Sequence, residues 1–173
     1  MLEELSLHIL DIGMNSIAAG AKTLRIYVIE NILRDWLIIR VRDDGRGMDE
    51  KTLQEVLNQN GTSKKGRKKP IGLGLAFLRQ TSEMCGGTFH IHSAPGSGTS
   101  VTASMRFSHI DRPPLGNLNA TILTLCANAD VEVHLYYRAN EQTFHFCSQE
   151  GKHHESGRTQ KIERQGPATS RAA

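Results

Sequence analysis

Four short segments of this 173-residue chain carry residue types that can hold a phosphorylated ligand. The first is Asp11-Ile12-Gly13-Met14-Asn15-Ser16-Ile17-Ala18-Ala19-Gly20-Ala21. Asp11 and Asn15 stand four apart, which puts both on one face of a helix. Oxygen ligands placed so suit Mg²⁺, which keeps several waters and bridges to phosphates. The second is Val41-Arg42-Asp43-Asp44-Gly45-Arg46-Gly47-Met48. Leu37, Ile39, Val41 and Asp43 share one parity along a strand, so Asp43 is expected on the buried side. A carboxylate there is costly unless something satisfies it. It can accept a hydrogen bond from a base amino group, and Gly45 and Gly47 let the backbone come close. The third is Gly72-Leu73-Gly74-Leu75-Ala76, where glycines opening a helix offer N–H groups to phosphates. The fourth is Gly96-Ser97-Gly98-Thr99. Taken singly, these also fit a polar helix stripe, a glycine turn, a loop-to-helix junction and a hairpin turn. Their order along the chain is what joins them.

Positioning these segments requires a particular run of elements. Residues 3–19 read as a helix with Leu5, Ile9 and Ile12 on one stripe and Glu4, His8, Asp11 and Asn15 on another. Gly20 closes it. Residues 22–30 and 33–43 read as strands around a tight turn at Asn31 and Ile32. Residues 49–57 form a short helix. Residues 58–70 are polar, basic and glycine-containing, and read as a mobile loop. Residues 74–85 form a helix closed by Gly86-Gly87, followed by strands at 88–93 and 99–107. This order predicts a two-layer α/β (α+β) sandwich, with the sheet covered by helices on one face. Arg112-Pro113-Pro114 reads as a boundary. The expected organisation is a domain at 1–110, a small extension at 111–150 outside the core fold, and a disordered tail at 151–173. The extension reads as a helix at 117–127 and a hairpin around Asn140.

In this order the segments resemble the GHKL superfamily. Its members include histidine-kinase catalytic domains, MutL-type mismatch-repair ATPases, gyrase and heat-shock chaperone ATPase domains, and anti-sigma factor kinases. The resemblance covers residues 5–107 and implies a Bergerat-type ATP-binding fold, a mixed sheet with helices on one face, with ATP and Mg²⁺ as ligands. It assigns adenine reading to Asp43, with Gly45, Gly47 and Met48 beside it, and Mg²⁺ to Asn15. Gly72, Leu73, Gly74 and Leu75 would meet the phosphates, and Thr99 would support the adenine. Gly61-Thr62-Ser63-Lys64-Lys65 is similar to a mismatch-repair segment, so Thr62, Ser63 and Lys64 fall in the ATP lid. Asp11 falls where hydrolytic members have a glutamate base and many kinases have asparagine. It is the candidate catalytic residue, one methylene shorter than glutamate.

Composition narrows the class. A formal charge of +3 is too mild to indicate nucleic acid, and the cations concentrate in Lys64, Lys65, Arg67, Lys68 and Lys69. Cys85, Cys126 and Cys147 are scattered and odd in number, which argues against a disulfide framework and for a reducing cytoplasm. No apolar run approaches the roughly 20 residues that span a bilayer. Met1-Leu2-Glu3-Glu4 lacks the basic start of a secretion signal. His8, His90, His92, His109, His134, His145, His153 and His154 read mainly as surface or core residues. Two expectations follow. The chain is a kinase or ATPase acting with a separate protein partner, or it is a regulatory module whose ATP state controls a partner. A homodimer is compatible with either.

Overall fold

The computed structural model describes residues 4–57, 73–128 and 130–149. The elements run α1 (Leu5–Ala18), β1 (Thr23–Asn31), β2 (Trp36–Asp43), α2 (Glu50–Leu57), α3 (Leu73–Met84), β3 (Phe89–Ala94), β4 (Gly98–Arg106), α4 (Leu118–Cys126), β5 (Glu132–Ala139) and β6 (Gln142–Cys147). The strands form one sheet in the order β3-β4-β2-β1-β5-β6. Every neighbouring pair is antiparallel except β1–β5, which is parallel. The sheet is therefore mixed, as the resemblance implies.

Alternation along the strands builds the core. Leu24, Ile26 and Val28 of β1, Leu37, Ile39 and Val41 of β2, and Val101, Ala103 and Met105 of β4 point to one face and are buried. Leu5, Ile9 and Ile12 of α1, Leu78 of α3, and Ile122 and Leu125 of α4 close over them. Burying each of the larger of these side chains contributes about 1.5–3 kcal/mol. The intervening strand residues, Arg40 and Arg42 among them, face the other way and are exposed. On that face the Arg106 guanidinium lies 4.6 Å over the Trp36 ring.

Two expectations change. Residues 33–35 are not strand, because β2 begins at Trp36 and the connection spans four residues. Asp35 takes a positive φ of 56°. The Asn31 side chain accepts the Arg34 N–H, and the Asp35 carboxylate accepts the Ser108 N–H. These side-chain bonds favour the wider turn over a two-residue one.

The larger correction concerns 111–150. This segment is built into the core. β5 lies along β1 from Thr23↔Glu132 to Glu30↔Ala139. Leu125 and Val133 are fully buried in the shared cluster. The Pro113–Pro114 stretch is no flexible boundary either. Helix α1 has no side-chain cap at its start, and its first N–H groups need acceptors. The carbonyls of Pro114 and Leu115 supply them to Leu5 and Ser6 at 3.0 and 2.9 Å. The apolar face of α1 exceeds what α3 alone can cover, and α4 covers the rest.

Candidate nucleotide site

Asp43 ends β2 on the buried side, 7% exposed. Three donors hold its carboxylate. Ser16 Oγ donates to Oδ2 at 2.7 Å, and the backbone N–H groups of Gly45 and Thr99 donate to Oδ1 at 2.9 and 3.2 Å. A carboxylate has about four lone-pair positions, so one acceptor position remains. Asp43 borders an open cavity of about 430 Å³ between α1, the loop after β2, the start of α3 and β4. That volume is within the usual range for small-ligand sites.

Asp44 has a different task. Its Oδ1 accepts the N–H groups of Lys22 and Thr23 at 2.8 and 2.9 Å, pinning the start of β1. Partial burial pushes the Asp44 carboxyl upward. The bonds from Thr23 and Lys22 outweigh it and hold the group below its ordinary range. The two adjacent aspartates thus divide into one that borders the cavity and one that braces the strand.

Glycines join the second and fourth segments. At Gly47, φ is +65°, and an added Cβ would strike the Ala94 carbonyl. At Gly98, φ is +77°, and a Cβ would strike the Asp43 carbonyl. The close approaches these two glycines permit are therefore to protein backbone. Ser93 completes the joint. Its Oγ accepts the Met48 N–H at 2.9 Å and lies 2.9 Å from Thr99 Oγ1. Arg46 is tied on both sides, its N–H to the Ala19 carbonyl and its carbonyl to the Gly96 N–H.

Helix α1 supplies the opposite wall. Asn15 and Ser16 border the cavity. Gly13 turns the other way, where an added Cβ would sit 2.6 Å from Leu125 Cδ2. The mid-helix glycine thus admits α4. Asp11 is exposed and lies against the first turn of α3, its Oδ2 2.9 Å from the position of a Cβ on Gly74. A carboxylate at that end of a helix is favoured by the helix dipole.

Of the residues expected at the site, the structure brings Asn15, Asp43, Gly47, Met48, Leu75 and Thr99 around one cavity. Gly45 packs beneath, contacting Asp43 and Ala19. Leu73 and Gly74 open α3, as placed from the sequence. Asp11 lies one helical turn before Asn15 and outside the cavity lining. Thr62, Ser63, Lys64 and Gly72 lie outside the described residues. Ser16 and Ser93 were missed. Ser16 sits inside a quoted segment, but its partner is 27 positions away. Ser93 could have been found from the cross-strand pairing Ser93↔Thr99 had the register been known.

The layered fold and this cavity define a nucleotide-binding domain. Residues 1–109 match the family model of the histidine kinase-, DNA gyrase B-, and HSP90-like ATPases (HATPase_c), and the chain belongs to that family. Within it, the chain is like the catalytic ATPase domains of histidine kinases. It is 32% identical over 90 residues to sensor histidine kinase YvrG of Bacillus subtilis, covering 51% of this chain and 16% of that protein. It is 30% identical over 107 residues to sporulation kinase D of the same organism, covering 62% of this chain and 20% of that one. The chain therefore spans a fifth or less of the length of these kinases. Among solved structures it is similar to the Aquifex aeolicus MutL ATPase domain complexed with ADP. The TM-score is 0.48 at 14% identity, covering 84% of this chain and 64% of that one. Among the described residues, no helix is long and apolar enough to cross a membrane.

Proposed function

We propose that this domain binds Mg²⁺·ATP and passes the γ-phosphate to a separate protein partner or to water. The carrying observation is the Asp43 carboxylate, held by three donors with one acceptor position left at the cavity. That position suits the amino group of adenine, which donates and cannot accept. The phosphates extend toward the start of α3, where helix N–H groups favour anions; the space at Gly74 itself is taken by the Asp11 side chain. Asn15 would hold Mg²⁺ on the cavity wall. Its amide oxygen is a hard ligand of the kind this ion takes. Bound there, the ion would neutralise phosphate charge, while the protein's part is to fix the nucleotide's orientation.

Calorimetric titration with ATP and Mg²⁺ tests this reading. Asp43→Asn keeps the shape but puts an NH₂ where an acceptor is needed. The loss of a hydrogen bond to a charged group, about 1.5–3 kcal/mol, should weaken ATP about ten- to a hundredfold. An unchanged affinity in a folded Asp43→Asn variant would overturn the assignment.

One observation favours a second reading, an ATP-dependent regulatory module. Asp11, the candidate base, is exposed and outside the cavity lining. A product assay separates the two. Turnover lost in Asp11→Asn supports hydrolysis through Asp11. ATP left intact with every partner, together with partner affinity that changes with ATP, supports the regulator.

A further inference from the structure

The hairpin at the far edge of the sheet gathers a second set of chemically active side chains. Strand alternation places Glu132 and His134 of β5 on the uncovered face. In the β5–β6 ladder His134 stands opposite Cys147, and Tyr136 opposite His145. The register alone thus brings a carboxylate, two imidazoles and a thiol together from two short strands. None of the four borders the nucleotide cavity.

Their spacing is that of a coordination set. Glu132 Oε1 lies 3.3 Å from Cys147 Sγ and 3.2 Å from His134 Nε2. The three ligand atoms all lie within 4.8 Å of one another. Ligands around a tetrahedral zinc ion with ordinary bond lengths are separated by roughly 3.4–3.6 Å. Small side-chain adjustments would seat a cation among them. Cys147 is buried, and Glu132 and His134 are half-buried, so the site is partly screened from water.

The surroundings also orient the imidazole. His145 Nε2 lies 3.4 Å from His134 Nδ1. With the His134 proton on Nδ1 and shared with His145, Nε2 turns its lone pair toward Glu132 and Cys147. Metal-ligating histidines are commonly held by such a bond on the second nitrogen. His145 is itself stacked on Tyr136 at a centroid distance of 4.3 Å, and Tyr136 on Tyr27 of β1 at 4.7 Å. A row of rings across three strands thus fixes the orienting residue.

We propose that Glu132, His134 and Cys147 bind a divalent transition-metal ion of the zinc class, with water in the fourth position and His145 as a positioning residue. A sulfur, nitrogen and oxygen donor set suits zinc and its neighbours. Mg²⁺ and Ca²⁺ prefer oxygen alone. On binding, the Cys147 thiol releases its proton to solvent and its sulfur bonds the metal. The ion would clip the first residue of β5 to the last residue of β6.

Cobalt(II) titration of the full chain tests the site. Excess Mg²⁺ keeps the nucleotide cavity out of the measurement, and His153→Ala with His154→Ala removes the nearest other imidazoles in sequence. One equivalent should give thiolate-to-cobalt absorption in the near ultraviolet, and zinc should displace it. Cys147→Ser should abolish that absorption. His145→Ala should retain it while weakening binding about ten- to a hundredfold, and His134→Ala should weaken binding further. Absorption that survives Cys147→Ser, or none in the unsubstituted chain, overturns the proposal. X-ray absorption on the zinc-loaded chain requires no substitution at the four residues. It should show one sulfur at about 2.3 Å among lighter ligands, and a shell without sulfur rules the site out.

Discussion

Ser16 and Asp43 form the tightest side-chain pair at the nucleotide cavity, 2.7 Å apart and both buried. Ser16→Ala removes one of three donors from a buried carboxylate. A hydrogen bond to a charged group is worth about 1.5–3 kcal/mol, so the variant should lose stability of that order in denaturant unfolding. It should also weaken nucleotide binding less than Asp43→Asn does, because the remaining acceptor survives. Tyr137 gives a prediction in pH. Its hydroxyl donates to Glu30 Oε2 at 2.9 Å. Burial first, then the bond and charge of Glu30, push the phenol up to about 12. The neutral phenol is the favoured form. Its contribution is complete below the ordinary tyrosine value of about 10 and is lost as pH rises through 12. In a Tyr27→Phe/Tyr136→Phe chain, the phenolate absorbance of Tyr137 should rise only near pH 12. Ionisation complete by about pH 11 would contradict the half-buried pairing with Glu30.

At the scale of elements, α4 is the test of how the fold is divided. Leu125 is fully buried and reaches the gap that Gly13 leaves in α1. Leu125→Ala should cost about 2–5 kcal/mol, measured by urea unfolding, although it lies in a segment the sequence sets apart. A cost near zero would return α4 to the status of an appendage. The elements themselves were legible: α1, α3, β3, β4 and the hairpin at Asn140 fall within a residue or two of their sequence positions. So was the inward turn of Asp43, because strand parity is local. The status of 111–150 was not. Arg112-Pro113-Pro114 carries a break signal, and no local pattern says that the carbonyls beyond it will serve α1. The parallel partner of β1 is equally silent in the chain, since pairing across such a distance leaves no periodic trace. Ser16 was overlooked for the same reason: its type was visible and its partner was not.

For the whole molecule, one shared core implies one cooperative transition. Thermal unfolding followed at Trp36 on β2 and by far-ultraviolet dichroism should coincide. Truncation after Arg112 strips α4, β5 and β6 from the cluster that holds α1. The remainder should lose nucleotide binding along with its cooperative melt. A fragment of residues 1–112 that binds ATP normally would show that the sheet's second half is dispensable.

The parallel pairing of Thr23–Asn31 with Glu132–Ala139 also has a consequence in time. During synthesis at roughly 5–20 residues per second, β1 emerges on the order of 5–20 s before the strand that completes its second edge. Through that interval the nascent chain presents β1 with unpaired backbone groups along one side, a template for other chains. The finished protein hides this edge completely. Its hazard belongs to birth, and a slow codon run between β4 and β5 would lengthen it.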